Sequence, residues 1–171
     1  MFGTLLARLP SARSLPDLCA ALDDEESGLT LAVARDHLAR YDGDDWKTLL
    51  PAVSSTERPV VDVARTPTYA IVLIQWGRLN LWETTIHNHP RKGAAIRILA
   101  GRLTEERFSP IGDYGKVLQT HTAQTMETGA TWSLTNSEGT HRLSVGDHTA
   151  TTLHIYLPGR QQCQSAWCGP P

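Results

Sequence analysis

From Pro51 onward the sequence breaks into ten short stretches rich in Val, Ile, Thr, Tyr and Trp. They fall at 60–64, 69–76, 82–87, 94–100, 102–108, 117–122, 125–127, 132–135, 141–144 and 151–156. β-Branched and aromatic residues suit a pleated, half-buried surface. Gly101, Gly112, Gly115, Gly129, Gly139 and Gly146 supply the turns between them. Many short strands at close spacing predict an antiparallel barrel or sandwich. Residues 69–76 are almost continuously apolar, which predicts a central strand.

The first fifty residues read differently. Leu15, Leu18, Cys19 and Leu22 recur at helical spacing, with Ser14 as a cap and Pro16 in the first turn. Thr30 caps a second helix with Leu31, Ala34, Leu38 and Tyr41 on one side, and 44–50 predicts a short third. We expect one domain over 1–171, with 1–50 covering an open end or edge of a barrel formed by 51–171.

Composition narrows the function. A net charge of -2 over 171 residues, with no basic block, argues against a nucleic-acid partner. No apolar run approaches the roughly 20 residues of a membrane helix. The mildly apolar start lacks a leading basic region, so a cytoplasmic location is expected. Cys19, Cys163 and Cys168 are an odd, sparse set that makes no disulfide framework.

The chemistry centres on Trp82 to Pro90, which contains His87-Asn88-His89. In an extended chain residues i and i+2 point to one face, so the two imidazoles project into one space. His141 comes late in the chain, where a barrel can return it beside the early pair. His121 is a further inward-facing candidate. His37 is expected to be exposed and His148 to sit in a turn. Trp76, Trp82 and Trp132 read as core.

His87-x-His89, Gly101 twelve residues on, and the late His141 together resemble the cupin superfamily. The resemblance implies a mainly-β cupin, an antiparallel barrel or jelly roll with a small N-terminal helical segment. Ala94, seven residues before Gly101, stands where many cupins carry a metal-binding glutamate. Within the cupins the sequence is similar to the cysteine dioxygenase family of thiol dioxygenases, from about Thr56 to Cys163. The stretches that carry this are Ile71 to Gly77, Ile86-His87-Asn88-His89, Ile98 to Glu105, His141-Arg142-Leu143, and Thr152-Leu153-His154-Ile155-Tyr156-Leu157-Pro158.

That resemblance implies one Fe(II) per chain on His87, His89 and His141, with O2 as co-substrate. Three imidazoles leave the full +2 charge, which favours an anionic thiolate. It also implies that Thr152 orients His154 and His154 orients the Tyr156 phenol. Arg58 would bind the substrate carboxylate, with Arg65, Arg91 and Lys92 as other cations. Cys163 falls near the pocket entrance. Some members join a cysteine to the tyrosine; that cysteine is Ala94 here, so Tyr156 stays unmodified. The implied activity is oxidation of cysteine to cysteine sulfinic acid by a monomer or small homo-oligomer. Two alternatives stay open: another small thiol or sulfur product, and a non-enzymatic metal- or ligand-binding cupin. Three imidazoles also suit zinc, nickel or copper.

Overall fold

The structure is a computed structural model that describes residues 11–25, 28–50, 59–77, 83–111 and 117–159. Local chemistry starts both helices where the sequence predicts. The Ser14 hydroxyl accepts the Asp17 N–H at the head of α1 (Leu15–Asp23), and Thr30 accepts the Val33 N–H at the head of α2 (Leu31–Ala39). The expected third helix is a 3₁₀ segment, Asp45–Leu49. The Asp45 carboxylate ties it down by accepting from the Leu15 N–H and the Tyr41 hydroxyl. His37 is buried, against expectation. It lies three residues after Ala34 and four before Tyr41, on the inward side of α2, and its Nε2 meets Glu25 at 2.5 Å. That pairing satisfies a polar ring inside the core.

The strands are β1 (Val60–Arg65), β2 (Ala70–Trp76), β3 (Gly93–Ile111), β4 (Val117–Glu127), β5 (Thr131–Leu134), β6 (Thr140–Ser144) and β7 (Ala150–Leu157). Every pairing is antiparallel, in the order β1-β2-β7-β3-β4, with β5 and β6 also on β3. The last strand thus inserts between β2 and β3, which brings 150–157 beside 93–101.

The two stretches expected on either side of a turn at Gly101 are one strand. Up to Gly101, β3 pairs with β7; from Arg102 it pairs with β4, and from Thr104 with β6 as well. Gly101 has φ +80, and a Cβ there would stand 1.9 Å from the Thr149 carbonyl oxygen. Only glycine lets the strand bend here and stay paired.

The helices cover one face of the sheet. They lie on the outer face of the β2-β7-β3 sheet, where Leu15, Leu18 and Leu38 pack with Ile71, Leu73, Leu153 and Ile155. The alternate residues Val72, Ile74, Trp76, Ile96 and Ile98 face inward with Leu103 and Leu143. A sheet covered on both faces needs strands that are apolar throughout, which is why 70–76 carries no alternation. Each fully buried Leu or Ile contributes about 2 kcal/mol to holding these layers. Among the described residues no helix is long and apolar enough to cross a membrane.

Candidate metal centre

The segment 83–89 runs along the free edge of β6. His87 and His141 exchange both backbone hydrogen bonds, at 2.9 and 3.0 Å. Such a directly opposed pair sets its two side chains next to each other on one face. Glu83 bridges Ser144, so four steps on one side match three on the other, and the extra residue bulges. The Thr84 hydroxyl accepts the Leu143 N–H within that bulge. Of the stretch 82–87, expected as a strand, the described residues 83–87 are therefore a bulged edge with isolated bridges. Arg142 pins it by pairing with Glu83 and Glu106 at once.

Three imidazoles converge. Ring centroids are 5.2 Å apart for His87 and His89, 4.6 Å for His87 and His141, and 4.5 Å for His89 and His141. One ligand atom from each lies within 4.8 Å of the others. His87 Nδ1 is 2.8 Å from the Thr85 carbonyl, and His141 Nδ1 is 2.7 Å from Glu105 Oε1. A carbonyl and a carboxylate only accept, so both rings carry their proton on Nδ1. Their Nε2 atoms face each other at 3.2 Å. Two nitrogens bound at about 2.1 Å to one divalent metal sit about 3 Å apart, so this donor set fits such an ion. Burial, then the neighbouring His141, His87 and His154, push the His89 imidazole down to about 2. It is neutral, and so able to bind a metal, at any ordinary pH.

A second series leads into the same space. The Trp76 indole N–H donates to Thr152 Oγ1 at 2.8 Å. Thr152 Oγ1 and His154 Nε2 are 2.8 Å apart, and His154 Nδ1 and the Tyr156 hydroxyl are 3.1 Å apart. Thr152, His154 and Tyr156 alternate along β7 and share its inner face. The Tyr156 ring stacks 6.0 Å from His89 and 5.7 Å from His154. Ala94 pairs in register with Tyr156 across β3 and β7.

Two roles were not legible in the sequence. Glu105, in sequence only the end of the Ile98 to Glu105 motif, is buried and hydrogen-bonded to His141, Trp132 and Arg107. Burial opposes its charge, but the hydrogen bonds and the attraction of His141 and Arg107 outweigh that and hold its carboxyl below the usual range. An acid inside the Leu103, Glu105 alternation of a barrel strand was the available signal. Trp76 is core as expected, yet its indole N–H is the far end of the Thr152 series. Trp132 is partly buried, and its indole N–H donates to the Glu105 carboxylate.

Arg58, Trp82, Cys163 and Cys168 lie outside the described residues. Arg65 is held by Asp62 at 2.8 Å and by the Gly159 carbonyl at 2.9 Å. Arg91 and Lys92 are exposed just after His89. The His121 side chain is outside the described set. Its backbone falls at a bulge of β4, since Arg107 pairs with Thr122 and Phe108 with Thr120. Among the described residues, His87, His89 and His141 form the metal-competent group.

A sequence model of the family described as cysteine dioxygenase type I matches residues 39–166. The chain belongs to the cysteine dioxygenase type I family. The match spans all seven described strands, the three histidines and the Thr152–His154–Tyr156 face. No curated protein matches the sequence. Two solved structures resemble this member of the cysteine dioxygenase family in fold. One is an uncharacterised Klebsiella pneumoniae protein with a double-stranded β-helix domain, 14% identical over 68% of this chain and 90% of its own, with a TM-score of 0.51. The other is a cupin superfamily protein from Desulfitobacterium hafniense, 12% identical over 67% of this chain and 89% of its own, also at 0.51. The fold is a cupin.

Proposed function

We propose that this protein is a non-haem iron thiol dioxygenase that oxidises cysteine with O2 to cysteine sulfinic acid, both oxygen atoms going to sulfur. The observation that carries this reading is the pair of Nε2 atoms on His87 and His141 facing each other at 3.2 Å, joined by a neutral His89, with the Tyr156 phenol stacked beside them. Fe(II) held by these three residues supplies O2 activation and a Lewis-acid seat for the substrate thiolate. Because all three ligands are neutral, the ion's charge favours an anionic sulfur and lowers the thiol pKa.

The protein's own groups bind and orient. In this reading Thr152, whose oxygen already accepts from Trp76, donates to His154 Nε2. His154 Nδ1–H then donates to the Tyr156 oxygen and orients the phenol toward the reacting centre. A fixed donor there stabilises developing negative charge without reorganising. Arg58 is our assignment for the carboxylate anchor, since a guanidinium fits a carboxylate bidentately, and Cys163 for the pocket entrance. The same centre acting on another small thiol is the second reading. Asn88 between two ligands, where the family usually has aspartate, and the Arg91-Lys92 pair beside them favour it.

The test is anaerobic loading with iron, then oxygen uptake with a panel of thiols and mass analysis of the product. Cysteine should drive uptake and yield the sulfinic acid. Uptake with a different thiol alone selects the second reading. No uptake with any thiol removes the enzyme reading and leaves a metal-binding cupin.

A further inference from the structure

Glu105 is a carboxylate at 4% exposure in the apolar wall of the barrel, and neither the three ligands nor the Tyr156 series accounts for it. Burying an ionised carboxylate is costly unless its oxygens are satisfied. Here they are, by donors from three strands. Oε1 accepts from His141 Nδ1–H at 2.7 Å and from Trp132 Nε1–H at 3.1 Å. Oε2 accepts from Arg107 Nε–H at 2.9 Å. Strand register explains the meeting: Arg107 pairs with His141, so Glu105 lies on its diagonal on the same face. Trp132 and Arg107 fix the carboxylate; the ring it fixes in turn is a candidate ligand.

We propose that Glu105 is a positioning residue for the metal centre. It keeps the His141 proton on Nδ1, so that Nε2 faces His87 as a bare donor, and it backs a neutral three-imidazole set with a negative charge. Arg107 offsets part of that charge, so the fixed tautomer is the larger effect. A carboxylate behind a metal-binding histidine orients the ring and raises its basicity. The proposal rests on reading His87, His89 and His141 as ligands.

Glu105→Leu keeps the size of the side chain and removes the acceptor. The buried His141 Nδ1–H then has no carboxylate, and the proton shifts to Nε2, where it blocks the ligand lone pair. Glu105→Gln keeps an acceptor and loses the charge. With Co(II) as the probe, E105L should bind roughly 10- to 100-fold more weakly than the unaltered protein, with E105Q between them. The Co(II) absorption spectrum of E105L should change as well. Nitrogen-15 NMR of histidine-labelled, metal-free unaltered protein should show His141 protonated on Nδ1. A proton on Nε2 there overturns the proposal whether or not any variant folds. Co(II) binding by E105L within about twofold of the unaltered protein also overturns it. Failure of the unaltered protein to bind Co(II) at all overturns the ligand reading and this proposal together. That outcome shows in the unaltered protein alone, so it is distinct from a failure of Glu105.

Discussion

His87 Nε2 and His141 Nε2 face each other at 3.2 Å while the Nδ1 of each ring is committed to an acceptor. Two lone pairs at that distance repel, and a cation between them turns the repulsion into two bonds. Adding a divalent metal should therefore raise the melting temperature. The stabilisation is about 2.7 kcal/mol at a hundredfold excess over Kd. His141→Ala should abolish the shift and the metal content, read by calorimetry and elemental analysis. Retention of both would remove His141 from the ligand set.

Tyr156→Phe keeps the ring against His89 and His154 but deletes the hydroxyl. In the iron-loaded protein kcat should drop by about 100-fold with a small change in KM, the pattern expected for a donor that acts on developing charge. An equal loss carried by KM alone would make Tyr156 a binding group instead.

Ala94→Cys tests the register between β3 and β7. It places a thiol directly opposite Tyr156. In air, the iron-loaded variant should form a cysteine–tyrosine link, seen as the loss of two hydrogen atoms by intact mass and mapped to that peptide. Ala94 is fully buried, so the variant should also lose about 1 kcal/mol of stability from overpacking. A variant that keeps iron yet never links would show that the phenol and residue 94 do not meet.

Gly101→Ala must force a side chain into a left-handed backbone and against the Thr149 oxygen. It should cost more than about 2 kcal/mol in denaturant unfolding. Gly129→Ala, where a Cβ would meet nothing within 4 Å, should cost less, its strain being the backbone conformation alone.

Two tyrosines give the fold an alkaline limit. Burial and a hydrogen bond to Asp45 raise the Tyr41 phenol, and burial and a bond to Asp23 raise Tyr69. Raised values mean that the folded state prefers the protonated forms. Their stabilisation is complete below the ordinary tyrosine value of about 10 and is lost as pH climbs beyond it. Of the four tyrosines, these two should stay un-ionised at 295 nm until the protein unfolds. Ionisation near pH 10 with the fold intact would contradict their burial.

What the sequence revealed was what neighbouring residues decide. Ser14 and Thr30 announce helices because a cap acts within three residues, and His87-x-His89 announces a shared face because a strand alternates. The roles of Glu105 and Trp76 were hidden because their partners are distant: Trp132 lies 27 positions from Glu105, and Thr152 lies 76 from Trp76. Gly101 misled because a positive φ serves a turn and a strand bend equally well. His37 misled because a polar local sequence says nothing of a carboxylate arriving from the preceding loop.

β3 carries Ala94 beside Tyr156 and, eleven residues on, Glu105 behind His141. The phenol side and the imidazole side of the centre are thus calibrated against a single unbroken peptide. Their spacing is a ruler set by backbone rise and the bend at Gly101, and a substitution far from both that lengthens or straightens this strand would detune the two halves together.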